Sequence, residues 1–209
     1  MTKNELLAKA NQLQQQYVDA LNTYWYKFNY FDSWQFWLVV TMLIVPLIVL
    51  YLKIDRTRLF ELGFFGFCVH LVTTYVDMAG ARLGYWSYPY FAIPLFPTAL
   101  GLDASLIPVV FILLYQWVTD KKRNYYLYAL LVGAAFAFII KPIMNYLDLF
   151  RLHKGLNFIG LYLLAYVPII FFSKWIFNAF AFLGKKQVLE TRKESAGSRR
   201  YFLSKRKAK

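Results

Sequence analysis

Charge is scarce in this sequence. Only 17% of its 209 residues are Asp, Glu, Lys or Arg, where an ordinary soluble domain carries about a quarter. A soluble globular domain is excluded on that ground, and with it disordered and coiled-coil chains. Cysteine is scarcer still: Cys68 stands alone in an apolar run, so no disulfide forms within the chain and no cysteine-based zinc site can be built. The two histidines, His70 and His153, are too few for most metal centres, and neither metal nor cofactor is expected. Gly-rich phosphate loops, His-Glu-x-x-His and Gly-x-Ser-x-Gly are all missing, which removes the common nucleotide, zinc-protease and serine-hydrolase signatures. What the chain does have is 59% hydrophobic and 21% aromatic residues, the composition of an integral membrane protein.

A helix needs about 20 mostly apolar residues to cross a hydrocarbon core of about 30 Å. Runs between charged residues place five spans at about 34–52, 59–77, 97–119, 124–146 and 155–175. The fold class is therefore all-α, a polytopic transmembrane helix bundle over 34–177. A sixth uncharged run is different in kind. Residues 83–97 read as a Pro/aromatic loop, because Pro89, Pro94 and Pro97 remove backbone donors and push their neighbours out of the helical region. Such backbone survives at membrane depth only where protein or water satisfies it, so the loop is expected to cap the bundle at the interface or as a re-entrant segment.

Residues 1–33 form the N-terminal region. Leu6, Ala10, Leu13, Tyr17, Leu21, Tyr24 and Phe28 recur at spacings of three and four, the period of an amphipathic helix lying on the membrane or on its own bundle. No signal peptide is visible there. The segment 178–209 is a basic tail; from Lys174 onward eleven Lys and Arg face only Glu190 and Glu194, with Tyr201-Phe202-Leu203 among them. Anionic lipid headgroups are the expected partners of such charges, and no base-reading module accompanies them to favour nucleic acid. Five spans put six Lys and Arg on the N-terminal side and seventeen on the other. The excess predicts a plasma-membrane protein with its N-terminus outside and its C-terminus cytoplasmic.

Ionisable groups inside a membrane are costly and functional candidates by default. His70, Thr74 and Asp77 lie at i, i+4 and i+7, and Lys141, Asn145 and Asp148 repeat that spacing. Alternating topology brings Asp77, Asp103, Lys141, Asn145 and Asp148 toward the non-cytoplasmic side, under the Pro/aromatic loop. The candidate polar pocket is thus His70, Asp77, Trp86, Tyr88, Asp103, Lys141, Asn145 and Asp148. Lys141 is expected to pair with Asp103, with Asp77 as the alternate partner. His70 reads first as a hydrogen-bonded core residue, and the Tyr85–Tyr90 aromatics read first as interfacial anchors.

Asp77, then Gly84-Tyr85-Trp86-Ser87-Tyr88, Pro94, Asp103, Pro108 and Tyr115-Gln116-Trp117 resemble a family of small multi-pass membrane proteins of spore-forming Gram-positive bacteria. The resemblance covers roughly residues 35–175 and implies no particular activity. Gly84-x-Trp86-x-Tyr88 after an upstream Asp is also similar to membrane-embedded lycopene cyclase domains, which protonate and close isoprenoid ends. Those domains continue to a Pro-x-Glu-Glu element where this chain reads Pro97-Thr98-Ala99-Leu100, with Asp103 nearby.

Three functions fit these residues. The first is a membrane protein that binds or passes a small molecule or lipid through the polar pocket. A cyclase-like enzyme acting on an isoprenoid or lipid is the second, with Asp77, Asp103 and Lys141 as a metal-independent acid–base site. The third is a structural or assembly protein recruiting partners through its N-terminal helix and tail. Binding or passage leads, because polar groups converge without a recognisable catalytic constellation.

Overall fold

The computed structural model describes residues 1–29, 31–94 and 99–184. The basic tail beyond 184 and Pro97 of the loop lie outside the described residues. Among the described residues there are six helices: α1 (Lys3–Phe28), α2 (Trp34–Lys53), α3 (Arg56–Arg82), α4 (Leu102–Asp120), α5 (Tyr125–Tyr146) and α6 (Phe158–Gly184). The last five are each long and apolar enough to cross a membrane, and the chain is an all-α, multi-pass membrane protein. α3 and α6 run past the expected ends at 77 and 175, and α4 starts after 97.

Helix starts follow the local chemistry. Thr2 and Glu5 close a capping box on α1, Ser33 accepts from Phe36 N–H on α2, Asn124 from Tyr126 and Leu127 N–H on α5, and Asn157 from Gly160 N–H on α6. Each side-chain oxygen fills an otherwise unpaired first-turn donor. Three helices end in paired i→i−3 and i→i−5 bonds around a left-handed residue, at Gly84, Lys122 and Asp148. Glycine adopts that conformation without strain at the first; Lys122 and Asp148 adopt it despite their side chains.

In α4, α5 and α6 the helix widens into a π turn, at Leu102–Leu106, Phe136–Ile140 and Tyr162–Tyr166. Each turn stands just before a proline, Pro108, Pro142 or Pro168. A proline ring collides with the carbonyl four residues back, and widening the turn moves that carbonyl aside.

α4 is the most buried of the five spans and α2 the least. α3 and α4 pack against each other, and Phe65 and Phe111 are fully buried. Gly66 faces Ile112, and Gly101 lets α4 approach α2 so closely that a Cβ would stand 2.8 Å from the Val39 carbonyl oxygen. Such close contact between small residues and neighbouring helices is what binds helices in lipid. Outward-facing Ile44, Leu47, Ile48, Leu131, Ile139, Leu163 and Phe172 are exposed, as a lipid-facing surface requires.

At the end that carries the α2–α3 and α4–α5 turns, Arg58 reaches Glu61 (3.0 Å), Asp120 (2.8 Å) and the Thr119 hydroxyl (3.0 Å), while the Tyr115 hydroxyl donates to Glu61. Lys174, counted with the basic tail in sequence, belongs to α6, its ammonium 4.2 Å from the Tyr115 ring centre and 4.6 Å from that of Phe177. The opposite end is closed by a two-stranded ribbon, β1 (Trp86–Ser87) antiparallel to β2 (Arg151–Leu152). It ties the α3–α4 loop to the α5–α6 loop, helped by a 2.8 Å contact between Ser87 Oγ and His153 Nε2. α1 leaves its residues 3–20 exposed. Its C-terminal end docks on the same loop: Trp25 Nε1 donates to the Phe91 carbonyl (3.0 Å) and Asn29 Nδ2 to that of Pro89 (2.9 Å).

Candidate functional site

Beneath the ribbon, ionisable side chains from three spans meet in the protein interior. Asp77 comes from α3, Asp103 from the π turn of α4, and Lys141 from the end of the π turn of α5; all three are more than nine-tenths buried. Two aromatic residues of the loop complete the group. Trp86 folds back over Gly80, where a Cβ would stand 2.0 Å from the indole, and its Nε1 donates to Asp77 Oδ1 at 2.9 Å. The Tyr88 hydroxyl donates to the same oxygen and accepts from Lys141 Nζ at 3.1 Å. Burial first, and then the charges of Asp77 and Asp103, push the Tyr88 phenol well above its ordinary titration range, so it remains a donor to Asp77.

Lys141 therefore does not form the direct ion pair with Asp103 that sequence depth implied. Among the described residues the ion pairs join Arg58 to Glu61 and Asp120, and Arg151 to Asp148. Tyr88 stands between the lysine and Asp77 as a relay, and the ammonium lies 3.9 Å from the Phe150 ring centre and 4.9 Å from that of Tyr88. Ring faces carry negative potential and stabilise a desolvated cation.

Asp103 shares the lining of one small cavity with Asp77. Its backbone is also engaged. In the i→i−5 register of the π turn the Asp103 carbonyl would receive the N–H of residue 108, which is proline and has none. His70 fills the vacancy, its Nδ1 2.8 Å from that carbonyl. A carbonyl only accepts, so Nδ1 carries the hydrogen. His70 is thus the hydrogen-bonded core residue expected, bonded behind the carboxyl pair.

A cavity of about 20 Å³ opens beside the cluster, lined by Asp77, Trp86, Tyr88, Asp103 and Lys141 together with Thr73 and Tyr166. That volume holds a water-sized occupant. Four oxygens of its lining residues, Thr73 Oγ1, Asp77 Oδ2, Asp103 Oδ2 and the Tyr166 hydroxyl, have no protein donor or acceptor at bonding geometry.

Two residues of the candidate pocket are elsewhere. Asn145 is exposed, Met144 having taken the buried position, and Asp148 pairs at 2.6 Å with Arg151 on the surface. The left-handed backbone at Asp148 (φ 58°) ends the helix before it, so its i+7 spacing from Lys141 does not carry it to the same face. Trp86 and Tyr88 prove to be buried hydrogen-bond donors rather than interfacial anchors. Thr73, Phe150 and Tyr166 were missed by sequence reasoning. Tyr166 had a signal available, since it precedes Pro168 by the same two residues that separate Leu106 from Pro108.

Comparison of the chain with protein-family models, with curated proteins and with solved structures finds no match, so the site is read from its own geometry.

Proposed function

We propose that the protein binds or passes a small molecule or lipid through this polar cluster, in the non-cytoplasmic half of a plasma-membrane bundle. The supporting observation is the convergence of Asp77, Asp103 and Lys141 from three different spans on one cavity roofed by Trp86 and Tyr88. Charges in a membrane interior are kept where a pathway or ligand needs them. The cavity is water-sized as it stands, so a larger ligand enters when the loop bearing Trp86 and Tyr88 lifts. Native mass spectrometry of the full chain released from mild detergent is expected to retain one small molecule or lipid per chain. Trp86→Ala, which removes the roof, loses it. A spectrum of bare wild-type chain from a folded preparation overturns the reading.

Orientation belongs to the same proposal. Reporters fused at Met1 and after Lys209 are expected to read non-cytoplasmic and cytoplasmic respectively, with the tail's charges against anionic headgroups. Agreement of the two reporters on one side would overturn it.

The convergence of two buried carboxyls on one cavity favours a second reading, acid–base chemistry on an isoprenoid or lipid, since a carboxyl pair that holds one proton is a general acid. Overproducing the wild type, but not Asp103→Asn, would then change the lipid extract of the host.

A further inference from the structure

The charges of the cluster do not balance. Asp77 and Asp103 bring two negative charges and Lys141 brings one positive, all buried. The other groups facing the pair are His70 from α3, its Nδ1 on the Asp103 carbonyl, Tyr166 from α6, and Trp86 and Tyr88 from the loop. α2 contributes no titratable side chain to the cavity lining. An uncompensated buried charge is strongly destabilising. One monovalent cation removes the deficit.

The cavity is built for such a cation. Its unmatched groups are all oxygens: two carboxylate, one threonine hydroxyl and one tyrosine hydroxyl, from α3, α4 and α6. As two ionised carboxylates, Asp77 Oδ2 and Asp103 Oδ2 are both acceptors and repel; a proton between them, or a metal cation against both, turns the repulsion into a bond. Alkali and alkaline-earth cations take oxygen donors of this kind. A divalent ion would leave the site positive, and an organic ammonium is too large for about 20 Å³.

We infer that the cavity between Asp77, Asp103, Thr73 and Tyr166 binds one monovalent cation, either a proton shared by the carboxyl pair or a sodium ion, and that the protein's action is coupled to that cation. The coupling rests on the binding reading above. The cation site does not, because it requires no organic ligand.

The test uses the full chain in detergent or lipid nanodiscs, with N-methylglucamine chloride exchanged for sodium chloride at constant ionic strength and potassium chloride as control. If sodium is the occupant, thermal stability rises with sodium and not with potassium, and the rise shrinks as pH falls because protons compete. If the proton is the occupant, sodium has no effect, stability declines as pH rises and the pair loses its proton, and infrared difference spectra show a carboxylic-acid carbonyl band at neutral pH. Asp103→Asn leaves Asp77 and Lys141 balanced, so this variant folds without the cation and loses both the sodium response and the acid band. Lys141→Met deepens the deficit and makes the alkaline decline steeper. A wild type with neither sodium response nor acid band overturns the inference. A chain that retains no organic ligand can still pass this test, and one that retains a ligand can fail it, so the two proposals stand or fall separately.

Discussion

Asp77→Ala is expected to lower the stability of the detergent-solubilised protein by about 3–5 kcal/mol, through two orphaned buried donors and the space left by the side chain. Asp77 Oδ1 receives both the Trp86 indole N–H and the Tyr88 hydroxyl. Removing the carboxyl strands both donors, and Tyr88 is the group through which Lys141 is held. Asp77→Asn keeps one acceptor oxygen and should cost less than half as much. Equilibrium unfolding followed by tryptophan fluorescence measures both. Equal losses for the two variants would show that the negative charge, and not the acceptor oxygen, supports the roof.

Gly80→Ala reaches the same bond from the other side and is expected to cost about 3 kcal/mol, part from overpacking and part from the indole N–H it unseats. The added methyl would lie 2.0 Å from two carbons of the Trp86 ring. An indole is rigid, so it must move as a whole and leave Asp77. A paired Trp86→Phe substitution removes the N–H and trims the ring, so Gly80→Ala made on that background should cost measurably less. Additive losses in the double-mutant cycle would place the strain elsewhere in α3.

Helix spans were legible because the bilayer imposes a length on uncharged runs, and the buried ions were legible because Asp103 and Lys141 interrupt or border such runs. Their partners were not. Depth alone pairs Lys141 with Asp103, whereas the actual neighbour, Tyr88, arrives from a loop whose path depends on a ribbon formed with Arg151 and Leu152, far along the chain. Phase was lost as well. A π turn adds a residue to the turn, so positions on either side of it in α4, α5 and α6 no longer share the face that a 3.6-residue period assigns. Pro108, Pro142 and Pro168 mark where this happens, but proline in sequence signals a break more often than a widening. Asn145 and Asp148 were misplaced for a similar local reason, the helix ending in a left-handed residue at Asp148 itself.

α1 has 26 residues and is about 39 Å long, with residues 3–20 exposed. Its hydrogen bonds to the bundle arrive at Pro89 and Phe91, one and three residues beyond Tyr88. Mechanically it is a long arm hinged at the rim of the cavity. A sideways force on its free end, from a lipid surface or from a crowded neighbour, is delivered as torque to the segment that closes the site before it reaches the spans that form the walls.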